Sequence, residues 1–335
     1  MKDQRMTKLR LLAPALAGLS LLLPTRSGAA TITENFSANP LQNGWQVFGN
    51  TDLFQWDSTN QNLRVTWDSS QPNSYFYYPL GTILAQDDDF SMGLDLRLTD
   101  IMSGTEPGKT GPMEIAMGFL NFTEASGTNF LRGVYEAAPD IAELDYFAAG
   151  YYEGYGPVDP TVSPTITSTN GQYDFTLSFP FEFPTNVTLH IAMSYTASNQ
   201  TLVATVTSNG ASLGPIQDVV MPADFDFRLT AFSISSYSSA GDDYDSVLAH
   251  GTIDNLIVTV PPPPVQNLTG AFGNGAWQAQ FLSRTNWLYA LEATTNFQSW
   301  TDVSGPAAGD GTNLVLHDTN PPPGRAFYRV RASRP

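Results

Sequence analysis

The sequence predicts an all-β fold: a large two-sheet sandwich or jelly roll followed by a small β-sandwich. Three observations carry this. Aromatic residues make up 12% of the 335 residues, alongside 27 Gly and 24 Pro, a composition suited to many strands and turns. Apolar residues alternate with small or polar ones at a period of two, as in Phe90-Ser-Met92-Gly-Leu94-Asp-Leu96-Arg-Leu98, and no amphipathic stretch of helical period exceeds two turns. A run of four prolines, Pro261 to Pro264, then divides the chain.

Taken in order, residues 1–30 read as a secretory signal peptide. Lys2, Arg5, Lys8 and Arg10 precede an apolar stretch at 11–23, and Gly28-Ala29-Ala30 supplies small residues for cleavage. The stretch is too short for a spanning helix, so no membrane insertion is expected. The expected location is the periplasm, the cell surface or the medium of a Gram-negative-type bacterium.

Residues 31–260 form the large domain. Val187, Leu189, Ile191, Met193 and Tyr195 repeat the period-two pattern. Further strands are expected at 63–67, 75–78, 113–122, 130–135, 141–147, 173–179, 201–207, 227–234 and 252–260. Asn43-Gly44, Pro107-Gly108, Asn170-Gly171 and Asn209-Gly210 mark turns. Many short strands with no helices to cover them need two packed sheets. Residues 261–264 read as a semi-rigid polyproline II linker, and 265–335 as a small module with strands around 277–281, 287–291, 314–316 and 327–331.

The formal net charge is −17. Without residues 1–30 the large domain holds 27 acids and 5 bases, net −22, and the module 4 acids and 5 bases, net +1. This argues against nucleic acid, whose phosphates need Lys and Arg, and favours neutral glycans over polyanions. With no cysteine, disulfides, thiolate metal sites and Cys nucleophiles are excluded, and both sandwiches must be held by packing alone.

Ile141-Ala-Glu143-Leu-Asp145-Tyr-Phe147 followed by Asp159-Pro160 resembles the metal-binding region of L-type, legume-like lectins. The stretch from Ala192 to Val206 resembles a hairpin those lectins share with laminin-G-like domains, and Gly251 to Val260 resembles the closing strand of concanavalin A-like sandwiches. The resemblance implies a concanavalin A-like jelly roll whose closing strand lies beside a first strand at 31–36. Alternation places Glu143 and Asp145 on one sheet face, and the resemblance implies a Ca²⁺ held by Glu143, Asp145, Asp159 and carbonyls. The bland alternative is a solvated sheet face. The chain departs from the lectin pattern in lacking the His after Asp159-Pro160 and an Asn at Ala148-Ala149-Gly150.

The same fold hosts hydrolases and lyases. Glu143-x-Asp145 matches half of a laminarinase-like motif, whose second Glu is replaced by Phe147 or Ala148. The segment from Tyr146 to Glu153 is superficially similar to an alginate-lyase motif, with Ala148 in place of Lys and Glu153 in place of Gln. Sugar binding needs only exposed rings beside Asp and Asn, and three regions offer them. Trp67, Asn73, Tyr75 and Tyr77 form one set, Tyr151, Tyr152 and Tyr155 a second, and the 241–245 loop a third. Asp87-Asp88-Asp89 reads as a solvated turn, and His190 as part of a solvated face.

The expected function is non-catalytic glycan binding, assisted by Ca²⁺. The alternatives are a polysaccharide hydrolase or lyase, and a cell-envelope structural or adhesion protein. In the module, Tyr289 to Trp300, Asp318 and Phe327-Tyr328-Arg329 resemble a C-terminal module of secreted Verrucomicrobia-type proteins. That resemblance implies an Ig- or fibronectin-like sandwich without catalytic residues.

Overall fold

The computed structural model describes residues 29–132, 139–152, 156–168, 170–241 and 244–335. The expected signal peptide at 1–30 lies almost wholly outside them. Among the described residues no helix is long and apolar enough to cross a membrane.

Two antiparallel sheets face each other. The first runs, in spatial order, Ala211–Ser212, Thr201–Ser208, Leu189–Thr196, Phe90–Ser103, Asp245–Val260, Asn62–Asp68, Phe54–Asp57. Ala30–Glu34 joins it beside the end of Asp245–Val260, Ala30 opposite Val260 and Glu34 opposite Leu256. The closing strand therefore lies against the first, as a jelly roll requires. The second sheet runs Tyr173–Phe175, Thr161–Thr167, Ile141–Phe147, Glu114–Leu120, Leu229–Ser236, Ser74–Leu84, Gln46–Phe48. About half of the neighbouring strands are distant in sequence, so each sheet depends on long-range pairing at its centre.

One continuous apolar core fills the space between the sheets. The strictly alternating strand supplies Phe90, Met92, Leu94, Leu96 and Leu98 to it, and Leu189, Ile191, Met193 and Tyr195 continue the layer. Trp45 stacks on Phe76 at 4.8 Å, and Phe90 on Tyr195 at 5.0 Å. Each such side chain contributes about 1.5–3 kcal/mol on leaving water, which is how the sandwich stands without disulfides.

Two expected strands change. Phe130 to Arg132, read as the start of a strand, forms none, and 133–135 lie outside the described residues. The strand expected at 173–179 is regular only over Tyr173–Phe175.

Beyond the prolines a second, separate core gathers Phe281, Trp287, Tyr289, Leu291 and Leu316. It lies between a three-stranded sheet (Gln266–Gly273, Ala276–Leu282, Asn313–Asp318) and a four-stranded one built on Leu288–Thr294 and Phe327–Ser333. Ile83 of the large sandwich packs against this second core. Of the three acids beside it, Asp87 and Asp89 are exposed as a solvated turn requires, but Asp88 is not. Asp88 is buried and takes Arg284 at 2.5 Å, while Arg334 pairs with both Asp87 and Asp88. Asp89 accepts from the Ala197 amide. Sequence alone missed this because the partners of Asp87 and Asp88 lie about 200 residues away in the chain.

Candidate functional site

The second sheet has an unusual outer face. Ile115, Met117, Phe119, Leu144, Tyr146, Phe232 and Ile234 point into the core. On the opposite face, pairing sets Asp145 beside Ala116 and Ser163, Glu143 beside Gly118 and Thr165, and Ser233 and Ser235 beside Gly118 and Ala116. The outer face is thus a patch of hydroxyls, carboxylates and small residues. Gly118 is needed there, because a Cβ would lie 2.3 Å from the Ala142 carbonyl and 2.5 Å from Glu143 Cα.

This polar face is not open to water. Every residue of Glu114–Leu120 and Thr161–Thr167 is buried. The cover over its Glu114–Tyr237 side is the segment after Glu114–Leu120, which turns through a short helix, Phe122–Ala125, and runs back across the sheet. Phe122 stacks on Tyr77 at 4.0 Å, and Phe130 packs edge-on against Tyr237. Tyr75 Oη donates to the Ala125 carbonyl at 3.0 Å, and Asn73 Nδ2 to the Phe130 carbonyl at 3.1 Å.

At the end of this segment Arg132 enters the acidic patch. Its Nε lies 2.9 Å from Glu143 Oε1 and 3.1 Å from Glu114 Oε1, and an Nη lies 2.9 Å from Asp145 Oδ2. Tyr237 Oη donates to Glu143 Oε2 at 2.7 Å, and Thr165 Oγ1 to Asp145 Oδ2 at 2.7 Å. The guanidinium also faces the Tyr237 ring at 5.6 Å. Asp145 Oδ1, buried, has no hydrogen-bond partner among the described residues.

Three carboxyls around one guanidinium leave an excess of negative charge in a dry place, and protonation is the way to relieve it. Burial and then the Glu143 charge push the Asp145 carboxyl up to about 8, with Arg132 opposing them. Burial also raises Glu143, again against Arg132. Burial disfavours the Arg132 charge, yet Glu114, Asp145 and Glu143 hold it firmly cationic. Burial, followed by the Glu143 charge, pushes Tyr75 and Tyr237 well above the ordinary phenol value.

The expected Ca²⁺ site does not fit these residues. Arg132 occupies the position between Glu143 and Asp145 that a cation would take. Asp159 is exposed, two residues before a strand whose first residue, Thr161, pairs with Phe147 rather than Asp145. Among the described residues no group of three or more His, Asp or Glu side chains is arranged so that it could hold a metal ion, the three acids on Arg132 included. Nor do Glu143 and Asp145 line a solvated face, since each is 1% exposed.

The expected sugar-binding rings separate into two groups. Trp67 is fully buried in the core, and Tyr75 and Tyr77, opposite Ser235 and Ser233 on the outer face, are buried under the covering segment, so none offers a free ring face. Asn73 ties loops together, its Oδ1 accepting from the Ser238 amide at 2.8 Å. Tyr151 is different: it is 56% exposed on the hairpin of Gly150–Tyr152 and Gly156–Val158. Tyr155 and the Tyr152 side chain lie outside the described residues. Tyr244, from the third region, is 47% exposed.

Backbone pairing brings these last two rings to one end of the sandwich. Gly111–Pro112 pairs with Asp245 and Ser246, and the Gly111 amide donates to the Tyr244 carbonyl. A Cβ on Gly150 would lie 3.3 Å from Pro112, and Ser103 Oγ donates to the Ala149 carbonyl. The same end holds Glu114, Arg132 and Tyr237, because Gly241 packs on the Arg132 backbone.

No family profile and no curated protein matches the sequence. Among solved structures, several of the neighbours are legume or legume-like lectins. Peanut lectin, solved with a nine-residue peptide, is 16% identical, with 70% of this chain aligned to 100% of that one at a TM-score of 0.41. The lectin UEA-II, complexed with galactose, is 10% identical over 71% of this chain and 100% of its own, TM-score 0.47. Alginate lyase Aly36B, a variant bound to an alginate tetrasaccharide, is 12% identical over 68% and 96%, TM-score 0.37. What the site does must follow from its own residues.

Arg132, Glu114 and Tyr237 were not legible as site residues. The available signal was scarcity: Arg132 is one of only five bases in the 230 residues before the prolines.

Proposed function

We propose that the large sandwich binds a neutral glycan at the loop end, without catalysis, in a protein exported by the signal at residues 1–30. The observation that carries this is the pair of exposed rings, Tyr151 and Tyr244, on segments that flank Gly111–Pro112. An exposed ring offers a flat apolar face to sugar C–H groups and a hydroxyl to sugar oxygens. The strong negative charge of this unit favours an uncharged ligand. The Arg132 cluster then serves as the anchor that fixes the loops bearing the rim.

A glycan array followed by calorimetry tests this. The expected result is binding of at least one neutral glycan without added Ca²⁺, weakened about tenfold by each of Tyr151→Ala and Tyr244→Ala. Unchanged affinity in the double variant, or no binding across the array, overturns it.

One observation favours a second reading, a polysaccharide hydrolase or lyase. Glu143 and Asp145 form a carboxyl pair in which Asp145 is held protonated near neutral pH. The covering segment must move before a chain can reach them. Release of reducing ends or unsaturated sugars by the parent chain, abolished in Glu143→Gln, would establish this reading in place of the first.

A further inference from the structure

We propose that the strand Gln266–Gly273 is an interface at which two copies of the chain pair edge to edge. This strand is the outer member of the small three-stranded sheet, hydrogen-bonded to Ala276–Leu282 on one side and to no strand among the described residues on the other. An open edge offers a row of backbone donors and acceptors to any extended segment. Proteins usually blunt such edges with charge or proline. Here the eight residues, Gln-Asn-Leu-Thr-Gly-Ala-Phe-Gly, contain neither, and the neighbouring strand is equally uncharged; a bulge at Asn267 and Leu268, with Asn267 at φ 54°, leaves the regular edge over Thr269–Gly273.

The side chains make the same point. Gly270 pairs with Ala279 and Phe272 with Trp277, both on the face turned toward the small core. Leu268 and Phe272 share that face with Gly270. Yet Leu268 is 50% exposed and Phe272 67% exposed, so apolar groups on an inward face are left uncovered by the opposing sheet. Trp277 reaches across Gly270, where a Cβ would lie 2.4 Å from its ring, and stacks on Tyr328 at 4.0 Å. The small core thus ends in an apolar shelf at the open edge.

A second copy suits this shelf because the strand is complementary to itself. Antiparallel pairing about a two-fold axis near Gly270 sets Leu268 of each copy against Phe272 of the other on one face. Two three-stranded sheets become one of six. Charge selects the same place: the large unit carries −22 and repels its copy, whereas the module carries +1 and its open edge nothing.

The test uses the chain from residue 31 onward. Sedimentation at concentrations up to about 100 µM should show a monomer–dimer equilibrium. Leu268→Lys and Phe272→Lys should each weaken it at least about tenfold while the thermal transition of the large sandwich stays in place. Because the chain has no cysteine, a Thr269→Cys/Ala271→Cys variant should form an interchain disulfide on mild oxidation. A monomer throughout, or a dimer that neither substitution weakens and that the cysteines do not cross-link, overturns the proposal. A monomer whose edge takes up an unrelated extended peptide overturns it too, in favour of a foreign partner. The glycan measurements above read the opposite unit, so either idea can fail alone.

Discussion

Two clusters in this molecule bury arginine among carboxyls, and they are built to different balances. Within the large sandwich, one guanidinium, Arg132, meets three acids, Glu114, Glu143 and Asp145. Between the large sandwich and the small module, two guanidiniums, Arg284 and Arg334, meet two acids, Asp87 and Asp88. The first is deficient in positive charge, so it must retain a proton near neutrality. The second is matched, and both its arginines also face the Trp287 ring, Arg284 at 5.7 Å and Arg334 at 5.6 Å. Burial raises Asp88 despite Arg284, and it lowers Arg334 to about 10. A balanced cluster suits a permanent joint. An unbalanced one makes its segment responsive to pH.

The largest effect that would break this comparison comes from Arg132→Met. Removing the sole cation leaves three buried acids without compensation, and about 3–5 kcal/mol of stability should be lost at neutral pH. Urea unfolding followed near pH 7 and again near pH 4.5 checks the cause, because the deficit should shrink once the acids are protonated. A deficit independent of pH would assign the loss to packing.

Asp145→Asn should have a smaller effect, seen in the slope of stability against pH. In the folded chain Asp145 titrates at about 8, against an ordinary value of 3.8. Between those values the folded state holds a proton that the unfolded state has released, so wild-type stability falls as pH rises through that window. The substitution should flatten most of the fall, as read from melting temperatures across the same range. An unchanged slope would move the proton to another group.

Smallest of the three is Arg334→Ala. Arg284 remains on Asp88 and Ile83 remains against the small core, so about 1–3 kcal/mol is expected, confined to the joint. Hydrogen exchange should quicken for the amides of residues 83–89 and stay unchanged across Leu189–Thr196. Faster exchange in both places would mean that the joint and the sandwich unfold together.

Much of the fold was legible because period-two alternation is a local signal. The segment at 90–98 declared its inward row of Phe90, Met92, Leu94, Leu96 and Leu98, whereas the pairing of first and closing strands was expected only from the resemblance of Gly251 to Val260 to a concanavalin A-like closing strand. The site was less legible. Trp67 and Tyr75 look like a sugar platform in sequence, but alternation does not say which side of a strand meets the other sheet and which meets a loop. Arg132 stands in a stretch whose apolar neighbours mimic a strand. Its three acids come from Glu114–Leu120 and Ile141–Phe147, strands that flank it in sequence but gather around it only in the folded sheet. Asp88 likewise looked solvated because the arginines that bury it are supplied by another unit.

The antiparallel contact of Ala30–Glu34 with Leu256–Val260 also sets an order of events. The earliest strand of the sandwich has no neighbour in either sheet until the latest one arrives, so the structure closes like a clasp whose halves lie at opposite ends of a long ribbon. Such closure carries a large entropy of chain ends brought together, and topologies of this kind form slowly. Shortening the ribbon from its 260 end would leave the first strand with nothing to join. Shortening it from the 30 end would bare the flank of Asp245–Val260 as a fresh adhesive edge.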